Sequence, residues 1–205
     1  MKKRDILLIV FPPLFQSILF FLTKLVESNA YNVSYTIDSK IPYLNVFIIF
    51  YLIWYIFLLI SPYIIYKCDY KLLRKYALTY MICSFICSFI FIFFPTTINR
   101  QIEFKDGSIL DLLVQFIYKN DTPALNCFPS LHALNSILWI KYIGLNKNIN
   151  KPIRIIVSII SIGVIFSTLF IKQHAFVDII GSILVAVIAC NLSSIWIKKI
   201  QKNTD

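Results

Sequence analysis

The chain has 205 residues, of which 59% are hydrophobic and only 15% charged, with a mean hydropathy of +0.76 and a net charge of +10. A soluble domain is about half apolar and a quarter charged, so the composition excludes a soluble fold and predicts a single membrane domain over residues 1–205. The charge does not mark a nucleic-acid binder, because the lysines and arginines lie in short clusters between long apolar runs, where membrane orientation accounts for them.

The chain opens with the basic Met1–Asp5 and then the apolar Ile6–Leu22. This run is too long for a signal core and no small-residue cleavage site follows it, so a retained first span is expected. A helix needs about 20 predominantly apolar residues to cross a bilayer. Six candidates meet or approach that length: Ile6–Val26, Tyr43–Ile65, Ala77–Phe94, Ser130–Leu145, Ile153–Ile171 and Ala175–Ile197. The expected fold is therefore all-α, a six-helix transmembrane bundle, with Pro12 and Pro13 bending the first helix. Cys83 and Cys87, four apart, share a helix face as small packing residues. No disulfide is called for, and neither histidine nor carboxylate stands near enough to make a metal cluster.

The distribution of basic residues tests this count. A cytoplasmic N-terminus places fourteen lysines and arginines inside and six outside, the six being Lys24, Lys40, Arg100, Lys105, Lys119 and Lys172. Both termini are thus expected in the cytoplasm. The richness in Ile, Lys, Asn, Phe and Tyr suits an AT-rich genome, and the expected location is a bacterial plasma membrane. The longest connection, 95–129, then lies outside. Within it, Ile109, Leu112, Leu113, Phe116 and Ile117 recur at helical spacing behind Ser108, which can cap the helix with Asp111 three residues on. Such a helix either lies on the outer membrane surface or caps the bundle.

The chain has two histidines, His132 and His174, each at the outer end of an expected span. Asp178 follows His174 by four residues, so a helix puts both side chains on one face. Asp178 is also the one acid within the six expected spans, where an unpaired carboxylate costs at least about 2.5 kcal/mol. Its carboxylate can hold the His174 Nδ1 proton and leave Nε2 free as nucleophile or base, the alternative being a purely structural hydrogen bond. Ser130 follows Pro129 at the start of a helix, where free backbone N–H groups favour anions. Arg100 and Lys172 would add two cations, a usual provision for phosphate.

These residues carry a resemblance. Pro129-Ser130-Leu131-His132 resembles the Pro-Ser-x-His motif of the type 2 phosphatidic acid phosphatase superfamily, which includes membrane lipid phosphatases and is related to vanadium haloperoxidases. The stretch from Ser167 and Thr168 through His174 to Asp178 matches the spacing of its Ser-Arg, five residues, His, three residues, Asp motif. The resemblance implies that His174 is the nucleophile, forming a phosphohistidine, with Asp178 orienting it. It also implies that His132 is the general acid on the leaving alcohol, and that Ser130, Arg100, Ser167, Thr168 and Lys172 surround the phosphate. Neither metal nor cofactor is implied. The family's first motif has a Lys seven residues before an Arg-Pro, whereas this chain has Phe93, Arg100 and Gln101; Thr168 stands at the Arg of the third. Lys172 is the expected substitute. Thr168 with a nearby Lys is similar to the branch containing inositol phosphorylceramide synthases. Hydrolysis of a lipid phosphate monoester or pyrophosphate is the leading expectation, with membrane lipids as surroundings and no nucleic-acid partner. Transfer of a phospho-group between lipids is the alternative, and a transporter or lipid-binding protein the third reading.

Overall fold

The structure is a computed structural model that describes residues 2–26, 29–100, 102, 104 and 107–202. Gln101 and Lys105, both used above, lie outside the described residues.

Long apolar runs fold as long helices, even across Pro12 and Pro13 in the first and Pro62 in the second, and five of them are long and apolar enough to cross a membrane: α1 (Lys3–Lys24), α3 (Ile48–Cys68, entered through a 3-10 turn at Asn45–Phe47), α4 (Tyr70–Phe93), α7 (Lys151–Phe170) and α8 (Phe176–Lys202). Shorter helices are α2 (Thr36–Lys40), α5 (Ile109–Asn120) and α6 (Leu131–Trp139), the last continuing as one π-helical turn over Ile140–Gly144. Two-residue strands β1 (Tyr31–Asn32) and β2 (Thr96–Thr97) pair in parallel, a small departure from the expected all-helical chain. Outward-facing Phe21, Phe89, Phe93, Ile159, Leu184 and Ile195 remain uncovered, as suits helices whose outer surface meets lipid rather than water. The chain is thus a mostly helical membrane protein.

Two boundaries differ from the sequence reading. The helix expected at Ala77 begins at Tyr70, because the Asp69 side chain accepts the Lys71 N–H at 2.7 Å and starts it about two turns early. The expected fourth span, Ser130–Leu145, is shorter than a membrane crossing and is the innermost helix, burying Leu134, Leu138, Trp139 and Ile143 completely. Its shortness follows from its surroundings, since a helix enclosed by others need not present a full-length apolar surface to lipid. Cys83 and Cys87 both pack into the core of α4, and all five cysteines are free thiols.

A buried polar knot joins α1, α4 and α6. Asn135 Nδ2 donates to Gln16 Oε1 and to Tyr80 Oη, each at 2.9 Å, and the Tyr80 hydroxyl donates to Gln16 Oε1 at 2.8 Å. Polar side chains inside a bilayer-spanning bundle specify which helices pair, because the alternative is an unsatisfied group in hydrocarbon. Asn135→Leu, similar in volume, leaves the Gln16 oxygen one donor short. It is expected to lower stability by about 0.5–2 kcal/mol, read as a reduced thermal midpoint in detergent.

The ends of the helices that carry the candidate residues meet at one end of the bundle. Leu44 N–H donates to the Phe170 carbonyl at 3.0 Å, Phe128 N–H to Thr96 Oγ1 at 2.8 Å, and Asn126 Nδ2 to Thr23 Oγ1 at 2.8 Å. These bonds gather the C-terminal ends of α1, α4 and α7 with the N-terminal ends of α3 and α6.

Candidate functional site

His174 owes its position to the way α7 ends. Lys172 takes a left-handed conformation (φ 55°), its N–H donates to the Leu169 carbonyl at 3.1 Å, and Gln173 N–H donates to the Thr168 carbonyl at 2.9 Å. This is a Schellman cap with lysine where glycine is usual. The His174 N–H also reaches the Thr168 carbonyl, at 3.0 Å, so the turn that stops one helix sets the histidine before the next. Tyr118 braces the turn from outside, its hydroxyl donating to the Ile171 carbonyl at 2.6 Å.

Asp178 lies in the first turn of α8 and is completely buried. Its Oδ2 accepts the Ala175 N–H at 2.9 Å and stands 3.0 Å from His174 Nδ1. A carboxylate held by a backbone donor cannot swing, so it fixes the imidazole with Nδ1 protonated and Nε2 directed away. The pairing anticipated from the four-residue spacing is therefore present, on a turn and first helical turn rather than along a continuous helix.

His132 enters from α6. Ser130 caps that helix, its Oγ accepting the Ala133 N–H at 3.3 Å, and its own N–H donates to the Asp178 carbonyl at 3.3 Å. Ser182 Oγ lies 2.8 Å from the Ser130 carbonyl and 2.7 Å from that of Asp178. These contacts clamp the starts of α6 and α8 together and bring the two imidazoles to 5.7 Å between ring centroids. Both nitrogens of His132 are buried without a partner among the described residues. Its ring lies between Tyr51 and Trp54, at centroid distances of 4.4 and 4.1 Å. Leu131 and His132 leave their N–H groups without an acceptor among the described residues, as the first turn of a helix must.

The two histidines border a cavity of about 240 Å³. Phe20, Phe21, Tyr51, Trp54 and Tyr55 make one side apolar, while Lys24, Asp121 and Gln173 join the histidines at the other. Arg100 lies next to it. Its guanidinium donates to the Asp121 carbonyl at 3.0 Å and to Gln173 Oε1 at 2.7 Å, pairs with the Asp121 carboxylate, and stacks over the Tyr118 ring at 4.6 Å.

The remaining residues named from sequence fall elsewhere. The Ser167 and Thr168 hydroxyls donate to the Val164 and Ile165 carbonyls of their own helix, each at 2.7 Å, and both side chains are buried behind the turn. Lys172 turns outward and donates to the carbonyls of Asp38 (2.7 Å) and Ile41, tying α2 to the bundle. Burial lowers its ammonium pKa from the ordinary lysine value, partly opposed by the Asp38 charge. It lines a second cavity of about 550 Å³, which also touches His174. Conversely, the sequence reading passed over Lys24, Asp121, Gln173 and the aromatic pair Tyr51 and Trp54. Only Gln173 carried a signal there, standing inside the third motif beside His174.

No curated protein and no solved structure matches the chain significantly. A family model does: that of the PAP2 superfamily matches residues 33–192, from the segment before α2 to the last turns of α8, and so encloses both histidines and Asp178. Since that match spans most of the sequence, the chain belongs to the PAP2 superfamily of phosphatases and related enzymes.

Proposed function

We propose that this protein hydrolyses a lipid phosphate monoester or pyrophosphate through a phosphohistidine on His174. The observation that carries this reading is the pair of imidazoles at 5.7 Å, one braced by a buried carboxylate and the other with both nitrogens unpartnered among the described residues, beside a cavity with aromatic walls. His174 Nε2 attacks phosphorus, and the bond from phosphorus to the lipid oxygen breaks. His132 gives its proton to that oxygen as it leaves. Water then attacks the phosphohistidine, returning a proton to His132 and releasing inorganic phosphate. The free N–H groups of Leu131 and His132 and the nearby Arg100 suit the charge that develops on the transferring oxygens. The apolar side, formed by α1 and α3, fits an acyl or polyprenyl chain.

In this reading α6 with its π turn, although shorter than the five long helices, serves as the fourth of six crossings, both termini are cytoplasmic, and the site faces outward. The fourteen-to-six division of basic residues supports that orientation.

The test is phosphate release by purified protein in detergent from phosphatidic acid, phosphatidylglycerophosphate or undecaprenyl pyrophosphate, with at least one expected to react. In the same assay Asp178→Asn is expected to lower kcat by about a hundredfold to ten-thousandfold, because an amide that offers Nδ1 its NH2 group selects the wrong tautomer. An Asp178→Asn enzyme as fast as wild type would remove the carboxylate from the mechanism.

One observation favours transfer to an acceptor alcohol as a second reading. His174 also lines the larger cavity, walled by Ser34, Tyr35, Asp38 and Asn99, which offers a polar headgroup room beside the nucleophile. A labelled lipid donor incubated with acceptor lipids decides it: label found only in free phosphate rejects transfer.

A further inference from the structure

Asp121 stands where a carboxylate is electrostatically unwelcome. It is the C-cap of α5, with its N–H donating to the Ile117 and Tyr118 carbonyls at 3.0 and 3.1 Å, and the C-terminal end of a helix carries partial negative charge. What holds the carboxylate there is a pair of cations from two other parts of the chain, Lys24 in the last turn of α1 and Arg100 after β2. All three groups are largely withdrawn from solvent, with side-chain exposures of 18% for Lys24, 11% for Arg100 and 27% for Asp121. Two cations so placed beside two histidines need a counter-ion at all times.

The cations are held unequally. Arg100 keeps its place without the carboxylate, through the Asp121 carbonyl, Gln173 Oε1 and the Tyr118 ring. Its Nε and the Gln173 Nε2 are buried and have no partner among the described residues, so the corner has donors to spare. Among the described residues, Lys24 is the cation that lines the cavity itself, alongside His132 and His174.

We propose that Lys24 joins Arg100 as a phosphate-binding cation of this site, and that Asp121 occupies the two as an internal stand-in for the phosphate oxyanion until substrate displaces it. The inference rests on the phosphate-transfer reading above and deepens it by assigning a substrate-binding residue to α1, which lies before the residues matched by the family model. The carboxylate offers two oxygens to two cations, and a phosphate monoester offers three with more charge. Displacement exchanges one charge-assisted set of bonds for a stronger one. In the empty site Asp121 keeps the cations paired and positioned.

The experiment measures inorganic phosphate binding to the full-length protein in detergent by calorimetry, with thermal midpoints recorded for each variant. Lys24→Gln is expected to weaken binding about tenfold, while Lys24→Arg, which keeps the charge, stays within about twofold of wild type. Asp121→Asn removes the competing charge at nearly constant volume and is expected to tighten binding about threefold to tenfold. Asp121→Asn binding phosphate no more tightly than wild type, or Lys24→Gln binding as well as wild type, would overturn the proposal. Hydrolysis is scored separately. Wild-type protein that binds phosphate in this pattern but releases none from any lipid supports the cation pair and overturns the reaction. A lipid phosphatase in which both substitutions leave phosphate binding unchanged overturns the cation pair and leaves the reaction standing.

Discussion

His174→Ala is expected to lower phosphate release from a lipid phosphate by at least about a thousandfold, the scale on which removal of a nucleophile acts. The size follows from how completely the structure prepares this one atom. Asp178 Oδ2 at 3.0 Å holds Nδ1, the Ala175 N–H at 2.9 Å holds Asp178, and the Schellman turn holds the backbone of His174. His132 cannot take over, because among the described residues its ring nitrogens have no hydrogen-bond partner to fix a tautomer. The check has two arms. Phosphate release measures the rate, and brief incubation with radiolabelled lipid phosphate followed by denaturation measures the covalent intermediate. A phosphohistidine is lost in acid and survives alkali, so the label should be alkali-stable in the wild type and absent from His174→Ala. A variant that still turns over at the wild-type rate would remove His174 from the chemistry.

His132→Ala is expected to slow release from a lipid alkyl phosphate by about a hundredfold to ten-thousandfold, the usual contribution of a general acid. The deficit should shrink sharply with an aryl phosphate whose leaving group is acidic enough to depart unprotonated. That split separates proton donation from positioning, since lost positioning would harm both substrates alike. The substitution also empties the space between Tyr51 and Trp54, whose rings lie 4.4 and 4.1 Å from the imidazole. His132→Gln, which fills that slot without an acid of suitable pKa, is therefore the companion variant, and it should behave like His132→Ala. Equal losses on both substrates in both variants would assign His132 a binding role instead.

Within the fold, what could be read from the chain was whatever depends on near neighbours. Length and apolarity place α1, α3, α7 and α8 within a few residues of their observed limits, because a helix in hydrocarbon must satisfy its own backbone. Ser108 does cap α5, its Oγ accepting the Asp111 N–H at 3.2 Å, because capping acts across three residues. The short α6 was harder to read: its run is apolar like the others, and only its enclosure by neighbouring helices distinguishes it.

The site divides in the same way. His174 with Asp178, four residues apart, and Ser130 with His132, two apart, were visible as local patterns, and the structure holds them together. Lys172 illustrates the limit of such reading. Spacing places it at the outer end of a helix beside His174, yet α7 ends at Phe170, and the left-handed residue of the cap sends that side chain to the carbonyls of Asp38 and Ile41.

By itself, then, the sequence determined that the chain lives in a membrane, where its main helices run, and which histidines and acid are the candidates for the chemistry. All of these depend on composition or on spacings within one turn of helix. Only the tertiary structure decided which cations attend those histidines, that Lys24 and Asp121 belong with Arg100, and that Tyr51 and Trp54 enclose His132. Lys24 and Asp121 are separated by 97 positions in the chain, and their meeting is set by how α1 packs against the rest of the bundle, which no local pattern encodes.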